Sequence, residues 1–148
     1  KMYLCKLAII LVLLFFSIFI ENVAIACIGI NYLPPNSFDM KTLIVFALYS
    51  FVIALPVHTF MLLISSQISN MWTTLGIGVV GFLSGMTTAM CNSPLFLINP
   101  FTLIMKPTIA TAELASVSPD KTVMIVSATM TILLIATGTI LAKRKKYE

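Results

Sequence analysis

Charge is what this sequence most lacks. Only 9% of its 148 residues are charged, nine basic against five acidic, where soluble domains carry about a quarter. With 59% hydrophobic residues and a mean hydropathy of +1.07, the chain cannot cover itself with water. It belongs in a bilayer. The net charge is +4, but four of the basic residues sit together in the tail "AKRKKYE". That clustering is not a nucleic-acid footprint, and no nucleic-acid partner is expected. Metal and redox chemistry are equally poorly supplied. There is one histidine, His58, and three cysteines, Cys5, Cys27 and Cys91, far apart and without ligand spacing. The cysteines read as small buried or lipid-facing side chains rather than disulfide partners. No cofactor or metal is expected. "LSG" at 83–85 matches the opening of an ATPase signature, yet no GxxxxGK[ST] loop and no acidic strand end accompany it. ATP hydrolysis is therefore expected on a separate subunit.

What is present is long apolar runs. A span needs about 20 mostly apolar residues, and four stretches qualify: about 4–30, 42–65, 71–90 and 122–142. The expected fold is all-α, a single polytopic membrane domain over 1–148 with four transmembrane helices. The paired prolines of "NYLPPNSFDMK" make a turn between the first two spans. "SQISN" leaves room only for a tight antiparallel hairpin between the second and third. Six basic residues, Lys1, Lys6, Lys143, Arg144, Lys145 and Lys146, fall on the side of both ends; Lys41, Lys106 and Lys121 fall on the other. By the positive-inside rule both termini are cytoplasmic, and the cell membrane is the expected location. A lipoprotein signal ending in "AIAC" at Cys27 is the rival reading of the start. Glu21 and Asn22 interrupt it, Ala24 stands where a branched residue is usual, and cleavage would leave three more spans.

Glycine is also scarce, and four of the six glycines fall within "WTTLGIGVVGFLSGM". Gly76, Gly78 and Gly81 have the GxGxxG spacing of a dinucleotide loop. No strand-like run precedes them, and no acidic residue follows until Glu113. On a helix, Thr74, Gly78, Gly81, Gly85 and Thr88 instead share one narrow stripe. Such a stripe lets a neighbouring backbone approach closely, which is what decides helix packing in lipid. Ser127, Thr131, Gly138 and Ala142 form a weaker match on the last span.

Few polar residues interrupt the spans. Glu21 either lines a substrate path or binds a cation, or it reaches the outer interface. Pro56 is expected to kink its helix near Val52. His58 reads as a packed, neutral, hydrogen-bonded histidine ahead of a proton-sensitive one. Ser84 and His58 do not match as a serine–histidine dyad: counted from the connecting turn they lie about 22 and 12 Å deep. The segment 91–121 is long, apolar and broken by prolines at 94, 100, 107 and 119. It is expected either as a re-entrant or interfacial pair of short helices or as an irregular loop packed on the outer face.

Three stretches, "KMYLCKLAIILVLLFFSIF", "ALYSFVIALPVHTFMLLISSQISNMWTTLGIGVVGFLSGM" and "NPFTLIMKP", carry a resemblance. The chain resembles the membrane subunit of type-2 ABC exporters, most of all the permeases of lantibiotic-immunity transporters. The resemblance covers nearly the whole chain through soft patterns rather than a signature. It implies a six-span permease of which these four spans are the third to sixth. Two helices and the coupling helix would precede Lys1, beside Lys1 to Lys6. It further implies an ABC ATPase subunit, a second permease subunit, and peptide-antibiotic or lipid-like cargo exported by alternating access, as in antimicrobial peptide resistance. The family has no catalytic residues to transfer. The alternative is a non-transport multi-span assembly or regulatory protein, with an intramembrane enzyme ranked below both.

Overall fold

The computed structural model describes residues 2–32, 40–89, 97–110 and 120–144. All elements within them are helices: α1 Met2–Tyr32, α2 Met40–Gln67, α3 Met71–Ala89, α4 Pro100–Ala110 and α5 Lys121–Arg144. Three of these, α1, α2 and α5, are long and apolar enough to cross a membrane, which marks the chain as a membrane protein. The third expected span does form a helix, α3. Its glycines, threonines and serine dilute its hydropathy, so it does not join those three.

Helix starts follow from local chemistry. Asn70, Asn99 and Asp120 each stand just before a helix and accept a backbone N–H with a side-chain oxygen. The bonds come from Trp72 N at 2.9 Å, Phe101 N at 3.0 Å and Thr122 N at 2.9 Å. These are N-caps, and Pro100 adds the preset φ suited to a first helical position. Within the helices, polar side chains turn back onto their own backbone. Asn22 Nδ2 donates to Ile18 O at 2.8 Å, and Thr59 Oγ1 to Leu55 O at 2.9 Å. In lipid every such group needs an internal partner. α2 is unbroken through the buried Pro56.

α2 is the hub, touching each of the other four helices. Tyr49, Ile53, Leu103 and Val123 make one buried cluster, joining α2, α4 and α5. Tyr3, Leu7 and Leu62 make a second, nearer the basic tail, with Ile135 and Ala142 packed on it. The small residues of α5 face inward: Ser127, Thr131 and Gly138 are buried.

The connection 68–70 is as short as expected, but α2 and α3 do not form the expected close hairpin. They touch near their joined ends, where Gly78 lies against Met61, and are otherwise parted by α4. Segment 91–121 thus contributes one described helix rather than a described pair, and α4 runs past Pro107 to Ala110. Pro94 and Pro119, Cys91, Glu113, Lys145 and Lys146 lie outside the described residues.

Candidate functional site

Three of the residues singled out in the sequence, Gly81, Gly85 and Thr88, come together where α3 meets α4. Phe101, on the first turn of α4, lies across the glycine face of α3. A Cβ added at Gly81 would stand 2.7 Å from the Phe101 ring carbon Cζ. One added at Gly85 would stand 2.9 Å from Phe101 Cβ and 3.0 Å from its carbonyl carbon. Real Cβ contacts are not this short, so only glycine admits the phenylalanine. The same ring also meets α2: Phe60 and Phe101 stand edge to face at 89°, centroids 6.0 Å apart. Phe101 is the wedge that parts α2 from α3.

Hydroxyls and an amide fasten the same junction. Thr88 Oγ1 and Thr102 Oγ1 share a hydrogen bond of 2.7 Å. Asn99 Nδ2 donates to Ser84 Oγ at 3.3 Å while its oxygen caps α4. Ser84 Oγ donates in turn to Gly81 O at 2.8 Å. Of the predicted stripe, Gly81, Gly85 and Thr88 meet α4 and Gly78 meets α2. Thr74 bonds only to the Asn70 carbonyl, at 3.3 Å. Beside the wedge an apolar cleft of about 360 Å³ opens, lined by Phe60, Ile77, Val80, Gly81, Asn99 and Pro100 with Phe101.

No match to any family model, curated protein or solved structure was found for this chain.

The remaining sequence candidates lie apart from the junction. Glu21 is exposed on α1. His58 is half-buried on α2, and its Nδ1 donates to Ala54 O at 2.8 Å, which places the proton on that nitrogen. Ser84 and His58 therefore bond to different partners and form no dyad. Among the described residues no three metal-ligating side chains gather. The arrangement packs and hydrogen-bonds helices.

Sequence reasoning missed Phe101, Thr102 and the Tyr3–Gly138 contact. Asn99–Pro100 was the available signal: a cap residue followed by proline marks a helix start, and it places Phe101 on the first turn. Nothing in the sequence told that Tyr3 Cζ would lie 2.5 Å from a Cβ added at Gly138.

Proposed function

We propose that the chain is the transmembrane part of an ABC-type exporter permease, moving peptide-antibiotic or lipid-like cargo with a separate ATPase subunit. The observation that carries this reading is the short helix α4, too short to span, set between two longer helices by Phe101 and the Thr88–Thr102 bond. A non-spanning helix buried against protein at membrane depth suits a helix bundle that rearranges to open alternately. The three quoted stretches that resemble type-2 exporters supply the family. In this reading α3 also crosses, as the third of four spans: nineteen residues cover about 28 Å, near the ~30 Å hydrocarbon core. The large exposed apolar faces of α1 and α3 meet lipid and a second permease subunit. Both termini lie on the cytoplasmic side, Glu21 near the outer one.

A second reading, a non-transport membrane assembly or regulatory protein, draws on a different observation. The cleft beside Phe101 has almost no polar lining, and Glu21 does not point into the bundle core. Affinity purification of the full-length protein from its native membrane separates the two. Co-purification of an ATP-binding subunit supports the permease; recovery without one, together with unchanged peptide export on deletion, supports the assembly protein.

A further inference from the structure

The cleft beside Phe101 lies at bilayer depth. No Asp, Glu, Lys or Arg occurs between Lys41 and Lys106, and α2, which supplies Phe60 to the lining, is long and apolar enough to cross a membrane. Phe60 stands about 10 Å from the Gln67 end of α2, and Ile77 and Gly81 stand about 9 and 15 Å from the Met71 end of α3. The contact of Gly78 with Met61 ties the two helices together at that depth. Val80, which borders the cleft, is exposed, as are Leu83 one turn on and Ile98 beside Asn99. The cleft therefore opens onto a surface that lipid covers. Water does not settle in an apolar hollow, and a hollow left empty forfeits the dispersion contacts of its lining.

The start of α4 shows what can fill it. A helix N-terminus normally offers free backbone donors, and here each is accounted for. Pro100 has no N–H. Phe101 N donates to Asn99 Oδ1 at 3.0 Å, and Thr102 N and Leu103 N donate to the Asn99 carbonyl at 3.1 and 3.4 Å. Asn99 Nδ2 donates to Ser84 Oγ, which in turn donates to Gly81 O. A phosphate, carboxylate or hydroxyl entering the cleft would leave its own hydration for no backbone donor, at a cost of several kcal/mol. A hydrocarbon chain pays no such cost.

We infer that this cleft is a binding site for one acyl chain of a membrane phospholipid, which enters beside Val80 and packs into the corner made by Phe60 and Phe101. Its volume of about 360 Å³ is near the lower end for small-molecule sites, ~300–1,000 Å³. That admits a stretch of one chain and leaves the headgroup outside. The corner is formed in advance. Gly81 and Gly85 back the Phe101 side chain, and Phe60 meets its ring at 89°. A chain seated there touches α2, α3 and α4 together, and so leaves more slowly than lipid resting on a single helix face. The inference goes beyond the permease reading and needs only that the bundle stands in lipid.

The full chain, stripped of lipid in mild detergent, is given phosphatidylcholine with monounsaturated chains and examined by native mass spectrometry. The unaltered protein should retain phospholipid. Val80→Trp, which sets an indole in the mouth, should retain about tenfold less. Val79→Trp, the same change on an exposed neighbour that does not line the cleft, should retain as much as the unaltered chain. Equal retention by the two variants, or none by the unaltered chain, would overturn the inference. A lipid-free dimer would give the cleft to a second copy and overturn it too. A second measurement needs no variant: phosphatidylcholine with a diazirine midway along one chain, photolysed in nanodiscs, should mark Phe60, Ile77 or Phe101. Adducts confined to α1 and α5 would sink the assignment. None of these readouts involves an ATPase, so their failure leaves the permease reading standing.

Discussion

Thr88 and Thr102 join α3 to α4 through a single hydroxyl pair, Oγ1 to Oγ1 at 2.7 Å. Thr88 Oγ1 has alternatives, the Ser84 carbonyl at 2.7 Å and the Gly85 carbonyl at 3.2 Å. Thr102 is fully enclosed, with 0% exposure. The bond therefore matters more to Thr102 than to its partner.

Thr88→Val should strand the Thr102 hydroxyl and cost about 1–2 kcal/mol of stability. The double variant Thr88→Val/Thr102→Val removes both groups and should recover part of that loss. Unfolding in detergent micelles, run as a double-mutant cycle, measures the coupling. Strictly additive losses would show that the pair contributes nothing.

Glycine substitutions should rank by what they strike. Nothing lies within 4 Å of a Cβ at Gly76, whereas Gly81 faces only the Phe101 ring and Gly85 faces Phe101 backbone atoms at 3.0 and 3.1 Å. A ring can turn aside; backbone cannot. Gly85→Ala should lower the melting temperature most, Gly81→Ala less, and Gly76→Ala not at all. Gly81→Leu should break up the native assembly in mild detergent, seen as a shift on size-exclusion chromatography. An intact, early-eluting Gly81→Leu protein would remove the wedge from the account.

Tyr3 presents the opposite case. Its hydroxyl is buried against α5 and has no hydrogen-bond partner among the described residues. Tyr3→Phe removes a group whose burial is uncompensated, so stability should hold or rise by about 1 kcal/mol. Gly138→Leu should instead push α1 from α5 and destabilise by more than 1 kcal/mol, within the range for overpacking. Comparing the two melts tests whether shape or polarity matters at this contact.

Asn99→Ala removes the α4 cap and the bond to Ser84 together. A lost cap costs about 1 kcal/mol. Because α4 holds Phe101 in place, the variant should also increase protease cleavage near residue 99 in detergent. Asn99→Asp keeps the capping oxygen and should retain most of the protection.

Topology gives a prediction independent of packing. The basic cluster from Lys143 to Lys146 should hold the C-terminus inside the cell. A tag there should bind antibody only after permeabilisation; labelling of intact cells would reverse the orientation.

The sequence by itself determined where the long helices form, though of its four expected spans the stretch 71–90 became α3, which does not join the three helices long and apolar enough to cross a membrane. The expected spans 4–30, 42–65 and 122–142 fall within α1, α2 and α5, because hydropathy and helix caps are local properties of contiguous residues. It also picked out the α3 face carrying Gly81 and Gly85, since a shared stripe follows from helical pitch alone. Only the tertiary structure decided what fills that face. A small-residue stripe specifies how near a neighbour can come, not which neighbour; Phe101 was one aromatic among many until α4 turned it inward. The heights of the helices were equally hidden, because the register between Tyr3 and Gly138 arises from side-chain fit across a long sequence separation, which no local pattern encodes.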